Sequence, residues 1–188
     1  VSAALDLVTG VPDVLTPVLT AFGEARWTDE EWDDQRLVFA DYRMLAARQA
    51  GEWVGNVGEF PFELTLPGGA SVAASGLTMV GVLPTHRRRG LLTAMMRRQL
   101  ENVRDAGEPI AALWASEGAI YGRFGYGMAS LCSLLEMPAD RSAFVPGVRI
   151  TGRVRLRERD AALPLMRPVY DARAATRGRY LATCPAKS

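Results

Sequence analysis

A chain of 188 residues, 48% hydrophobic and 23% charged, has the composition of an ordinary globular protein, with length for one full core and some to spare. Its net charge of +1 provides no overall field toward nucleic acid or a membrane surface. No stretch approaches the roughly 18 unbroken apolar residues of a bilayer span, and the start lacks the pattern of a signal peptide, so no membrane partner and a cytoplasmic location are expected.

In chain order, residues 6–23 mix Val, Leu and Phe with two prolines, and residues 28–44 open on the acidic run Asp29-Glu30-Glu31-Trp32-Asp33-Asp34. Capped helical turns are predicted through both, with Thr28 as N-cap and Glu31 three residues on. Residues 52–58 read as a strand, and Pro67-Gly68-Gly69 as a turn before the next extended run. Residues 73–82 (AASGLTMVGV) are short, apolar and closed by Pro84, which fits a central strand.

A helix follows. Leu92, Met95, Met96, Gln99, Leu100 and Val103 recur at spacings of three and four, Arg97, Arg98, Glu101 and Arg104 take the other face, and Gly107 ends it. Residues 109–115 (PIAALWA) predict a second buried strand, Ser116 the cap of a short helix to about Arg123, and residues 128–137 a further strand. The order strand, helix, strand, helix, strand describes an α/β sandwich with a mixed sheet.

After Pro138 the texture changes. Residues 141–147 read as a linker; Arg153, Arg155, Arg157 and Arg159 then alternate with Val154, Leu156 and Glu158, as in a half-exposed strand, and residues 161–173 read as an amphipathic helix. So short a tail cannot bury a core of its own. The expected organisation is a first domain over 1–140, the linker, and from 148–188 the opening of an incomplete second domain or a packing arm.

Cys132 and Cys184 have no CxxC or CxxH company, so neither a zinc site nor a disulfide is suggested. One histidine, His86, cannot build a metal centre or a Ser/His/Asp system alone, and no metal is expected.

The segment with chemistry is Val82-Leu83-Pro84-Thr85-His86-Arg87-Arg88-Arg89-Gly90-Leu91-Leu92-Thr93, a strand that ends in a basic turn opening a helix. Such a helix start holds unpaired N–H groups and the positive end of the macrodipole, a site for phosphate oxygens, and Gly90 lets the backbone come close to the anion. Taken alone, three consecutive arginines are more often a solvated surface; the strand before them and the glycine after them favour the anion site.

Here the sequence resembles the GNAT acetyltransferases, whose pyrophosphate loop reads Arg/Gln-x-x-Gly-x-Gly/Ala between a strand and a helix. Arg87-x-x-Gly90 matches; Leu92 departs from the small final residue and is similar to the RRRGLL form of the Eis (enhanced intracellular survival) subgroup. A second block, ALWASEGAIYGRFGYG over residues 112–127, resembles that subgroup's ALxASEGxIYGRFGYG segment. The resemblance is good over residues 78–135 and loose elsewhere. It implies a GNAT fold (α/β, or α+β): a mixed, mostly antiparallel sheet with helices on both faces and a splayed parallel strand pair.

By the same resemblance, the backbone of Val80, Gly81 and Val82 pairs with the pantetheine arm of acetyl-CoA. Arg87, Arg88, Arg89, Gly90, Leu91, Leu92 and Thr93 cradle its pyrophosphate, and Ser116 and Glu117 flank the thioester end. Tyr121 is the implied general acid, since a phenol can protonate a departing thiolate at neutral pH. Glu24, Trp32 and Met79 are implied walls of an acidic, aromatic cavity for a small-molecule amine or a lysine-bearing acceptor, aminoglycosides and polyamines among them. The resemblance also implies a hexameric homo-oligomer and a base at the C-terminal carboxylate of a longer chain. This chain is therefore expected to bind acetyl-CoA and turn over poorly, with Ser188 no replacement for that base.

Two other classes of function remain open at this level. One is a non-catalytic GNAT-like module that binds acyl-CoA or serves assembly. The other is a nucleic-acid-binding arm in the Arg-rich tail, against which the alternation with apolar residues and the lack of interleaved aromatics argue.

Overall fold

In the computed structural model the described residues are 3–8, 12–36, 38–131, 133–149, 151–177 and 181–183. Cys132, Cys184 and Ser188 lie outside them.

The sheet begins where a β period meets two apolar layers. In strand β2 (Arg43–Gln49), Met44 and Ala46 point to one face and Leu45 and Ala47 to the other, all buried. One face packs on a 3-10 turn (Pro12–Leu15) and helix α1 (Thr16–Phe22), through Val14, Leu15, Val18 and Leu19. The other packs Val54, Val57 and Leu77 against Met95 and Met96 of helix α3 (Leu91–Asp105). A sheet buried on both faces needs such runs of apolar residues, and helices on both sides follow from them.

The strand order is β1 (Ala4–Val8), β2, β3 (Glu52–Thr65), β4 (Ser71–Val82) and β5 (Ile110–Leu113), with β6 (Leu181–Thr183) also paired to β3. All neighbours are antiparallel except β4 and β5, which run parallel through Ala74↔Ile110 to Leu77↔Leu113. Beyond Leu77, β4 continues to Val82 while β5 stops at Leu113, so the two part. The expected mixed sheet with a splayed parallel pair is therefore present.

The helix between them follows its sequence signals closely. Met95, Met96, Gln99 and Val103 are buried, and the end is a Schellman motif in which Gly107 N–H donates to Arg104 O at 2.9 Å and Glu108 N–H to Val103 O at 3.1 Å. Gly107 takes a φ of 72°, which costs a glycine little. Helix α2 (Asp29–Gln35) has the expected capping box: Thr28 Oγ1 accepts from Glu31 N–H at 3.2 Å, and Glu31 Oε2 accepts from Thr28 N–H at 2.7 Å.

Several expectations are corrected. The helical reading of residues 6–23 and 28–44 overlooked β1 and β2, and β3 runs to Thr65 instead of ending near 58. These strands hold their shape by pairing with each other, a condition local periodicity does not express. Among the described residues of 128–137 and of 151–158 there is no strand; Leu134, Leu135, Val154 and Leu156 are exposed. Alternation makes a strand only where a partner edge satisfies its N–H and C=O groups. The helix expected over 161–173 is present as α5 (Arg159–Arg177).

Two units can be distinguished: residues 1–126 with 174–188, which hold the sheet, and residues 127–173, which hold irregular chain, one 3-10 turn (Ala139–Arg141) and most of α5. Among the described residues no helix is long and apolar enough to cross a membrane.

Candidate active site

The parting of β4 and β5 opens a cavity of about 290 Å³ within the first unit. Its floor is Leu77, Thr78, Met79 and Val80 of β4; α1 contributes Val18, Leu19 and Phe22, and the end of β5 contributes Leu113 and Trp114. Glu24, Trp27, Ser116 and Tyr121 complete the wall.

Three local devices make this shape. The first is a bulge in β4: Asn56 pairs with Gly81 and Gly58 with Thr78, so that Met79 and Val80 together face Val57. Met79 takes a φ of 49°, in the left-handed region. As a result Met79 joins the α1 layer beside Thr78, and Val80 joins the α3 layer. The second is Gly81, on whose face α1 sits directly. The third is the turn at Gly23, left-handed at φ 75°, after which Glu24 N–H donates to Leu19 O at 2.8 Å, bringing Glu24 to the cavity.

Tyr121 ends the short helix α4 (Gly118–Tyr121), whose N-cap is Glu117 with no side-chain cap bond. The cap expected at Ser116 is thus not formed, and Ser116 lines the cavity instead. Tyr121 is half-buried, and its phenol is held above the ordinary tyrosine range, first by burial and then by the charge of Glu117. It meets Tyr126 edge-on at 6.0 Å between ring centroids, and Tyr126 N–H donates back to Tyr121 O at 3.4 Å.

Next to this cavity the basic turn takes its own form. After a 3-10 turn (Pro84–His86), Arg88 stands at φ 63° and Gly90 at φ 79°, and Gly90 is the N-cap of α3 without a side-chain cap. The first helical bond, Ala94 N–H to Gly90 O at 3.0 Å, leaves the N–H groups of Leu91, Leu92 and Thr93 outside the helical ladder. Arg87, Arg88 and Arg89 are exposed and form no ion pair among the described residues. Left-handed residues in such a turn aim successive N–H groups at one point, a concavity for an anion. A pyrophosphate fits these residues in charge and in donors.

The residues singled out in the sequence therefore divide. Glu24, Met79, Val80, Ser116 and Tyr121 meet around one cavity, with Gly81 and Val82 continuing the same strand. Glu117 is not on the wall but acts on Tyr121 by charge. Trp32 stacks on Phe39 at 5.7 Å, in an aromatic row that links Trp27, Phe39, Tyr42 and Phe60. Trp27, Phe22 and Trp114 are wall aromatics that the sequence did not single out. Nothing in the local pattern marks them, since their shared position depends on the parted strands. No cluster of metal-ligating side chains occurs among the described residues.

Comparison with known proteins agrees with this geometry. The family described as Acetyltransferase (GNAT) domain matches residues 9–129. An N-acetyltransferase of Streptomyces avermitilis is 46% identical over 142 residues, 74% of this chain and 34% of its own length. N-acetyltransferase Eis of Mycobacterium tuberculosis is 48% identical over 108 residues, 56% of this chain and 26% of its own. Among solved structures, Eis1 of Mycobacterium abscessus superposes with a TM-score of 0.58 at 35% identity, over 68% of this chain and 31% of that one. The chain thus spans about a third or less of the length of these relatives.

Proposed function

Because the chain belongs to the GNAT acetyltransferase family, whose members use acetyl-CoA, we propose that the cavity between β4 and β5 is where an acetyl group passes from coenzyme A to a primary amine. The observation that carries this reading is the meeting of Tyr121, Ser116, Glu24 and the β4 bulge around one cavity beside the basic N-terminus of α3. In this reading Arg87, Arg88, Arg89 and the N–H groups from Gly90 to Thr93 hold the pyrophosphate, and the backbone of Val80, Gly81 and Val82 pairs with the pantetheine arm. The bulge at Met79 and Val80, whose residues have no register partner on β3, receives the thioester carbonyl.

The amine nitrogen attacks the carbonyl carbon, the carbon–sulfur bond breaks, Tyr121 gives its proton to the leaving sulfur, and the proton shed by the acetylated nitrogen returns through water to the Tyr121 phenolate. Burial keeps Tyr121 protonated for that task. The amine must arrive neutral, because an ammonium has no lone pair. Glu24, on the wall and exposed, attracts a cationic acceptor, and Trp27, Phe22 and Trp114 supply aromatic surface. Aminoglycosides, polyamines and lysine side chains fit that description, and a cytoplasmic setting follows from the supply of acetyl-CoA. Self-association belongs to the same reading, since Leu163, Leu165, Met166 and Val169 of α5 are exposed apolar surface.

The test is thiol release from acetyl-CoA with an aminoglycoside, a diamine and a lysine peptide, for the wild type and Tyr121→Phe. Transfer to at least one amine is expected, with kcat lower by about 10² or more in the variant and acetyl-CoA still bound. Acetyl-CoA binding without transfer to any amine would leave a non-catalytic acyl-CoA-binding module as the function.

A further inference from the structure

Asn56 on β3 is fully buried, and only one half of its amide is used. Its Nδ2 donates to the carbonyl of Met79 at 2.7 Å, while its Oδ1 is buried without a partner. The bulge leaves Met79 without a register partner on β3, and its carbonyl is taken up by the Asn56 side chain; a buried carbonyl without a donor would be costly. The half-used amide carries a desolvation cost of its own, which an apolar residue of the same shape would avoid. Stability alone thus gives little reason for an asparagine here, unless the bulge itself is what must be kept.

Two further features serve the same conformation. Met79 sits at φ 49°, which a residue with a long side chain adopts only when its surroundings hold it there. Gly58, across the bulge, leaves the space that Met79 occupies: a β-carbon at Gly58 would lie 3.3 Å from Met79 Cβ and 2.9 Å from Met44 Sδ. Gly58 makes room and Asn56 supplies the tether, and both act on the bulge, whose Met79 and Val80 belong to the floor of the cavity.

We propose that Asn56 is a positioning residue for acetyl transfer: by holding the Met79 carbonyl it fixes the bulge and so aims the backbone of Met79 and Val80 at the thioester carbonyl. This rests on the function proposed above. Asn56 is not on the cavity wall, and it acts through β4.

Asn56→Leu keeps the approximate shape and removes the donor, and Asn56→Leu with Met79→Gly removes in addition the side chain that makes φ 49° costly. The measurements are the infrared carbonyl stretch of bound acetyl-CoA labelled with 13C at the thioester carbonyl, the affinity for coenzyme A without the acetyl group, and kcat. In the wild type the bound stretch is expected below that of free acetyl-CoA. In Asn56→Leu it should move back toward the free value and kcat should fall by between about tenfold and a hundredfold, while coenzyme A affinity changes little. The double variant should recover part of the infrared shift, and it serves as the folded reference if Asn56→Leu does not fold.

A variant that loses thermal stability while its carbonyl shift and kcat stay at wild-type values would overturn the proposal. So would a double variant that recovers its fold but none of the shift. Wild-type protein that shifts the carbonyl yet acetylates no amine would remove the proposed function and with it a role for Asn56 in transfer, while a shift lost in Asn56→Leu would still show that Asn56 holds the bulge against the thioester. Wild-type protein that binds no acetyl-CoA would remove both.

Discussion

Gly81 of β4 lies directly against the backbone of Val18 in α1: a β-carbon on Gly81 would stand 2.6 Å from the Val18 nitrogen and 2.8 Å from its Cβ. Real β-carbons do not approach so closely, and the obstacle is main chain that cannot rotate away. Gly81→Ala must therefore lift α1 from the sheet or bend β4. A loss of about 1–3 kcal/mol is expected, together with weaker acetyl-CoA binding, because Val18, Leu19 and Phe22 line the cavity on the same helix. Denaturant unfolding and calorimetric titration check the two effects; wild-type values in both would contradict the packing described.

Glu117 raises the Tyr121 pKa by charge, secondary to burial. An acid with a raised pKa stays protonated to higher pH, so the alkaline limb of the kcat profile lies above the ordinary tyrosine range. Glu117→Gln removes one raising charge, and that limb should move to lower pH while kcat on the plateau stays similar. A profile unmoved or displaced upward would count against Tyr121 as the acid.

An ion pair between the half-buried Arg43 and the buried Glu59 locks the α3 side of the sheet. Glu59, 3% exposed at its side chain, lies 2.9 Å from Arg43 Nε and also accepts from Gln99 Nε2 at 2.7 Å and Ser75 Oγ at 3.1 Å. Arg43 reaches Glu108 at 2.6 Å, tying β2 to the chain just before β5. Arg43→Ala leaves the buried Glu59 and Glu108 carboxyls without their cation, and should cost about 2–3 kcal/mol in unfolding free energy. Arg43→Met combined with Glu59→Gln and Glu108→Gln should recover most of that loss, since the cost lies in the unpaired carboxyls. If the triple variant is no more stable than the single one, the loss is of packing and not of charge.

Tyr126 has a buried hydroxyl without a partner, and burial, followed by the charge of Glu59 and the neighbouring Tyr121, pushes its pKa up to about 12. Below the ordinary value of 10.0 both folded and unfolded states keep the proton, and the stabilisation is fully present. Above it the unfolded chain ionises first, and stability declines until the folded pKa is passed. Between pH 10.0 and about 12 the melting temperature of Tyr126→Phe should thus fall less than that of the wild type. Parallel declines would mean that Tyr126 is not held neutral by the fold.

How much of this was readable without the fold depends on where each signal resides. The spacing of Met95, Met96, Gln99 and Val103, the Thr28–Glu31 box and Gly107 specify their helices because each acts within a few residues of itself. The basic turn at Gly90 was readable for the same reason: a strand, a glycine and a helix start are consecutive in the chain. The order of the elements gave an α/β sandwich with a mixed sheet, although the strand read over 128–137 is absent among the described residues, and the GNAT fold itself was implied by the two motif blocks.

The strands β1 and β2 were hidden because ALDLV and RMLAARQ become strands only once β3 satisfies the hydrogen bonds of β2, and β2 those of β1. Residues 128–137 and 151–158 carry comparable strand patterns, and those described stay irregular, which is the same rule seen from the other side. The sequence by itself determined the family, the helix starts and stops, and the residue types available for chemistry. Only the tertiary structure decided that Trp27 and not Trp32 walls the cavity, that Ser116 faces it without capping a helix, and that Asn56 holds the bulge. Those outcomes depend on residues far apart in the chain meeting where β4 and β5 part, and contact across such separations has no local sequence signature.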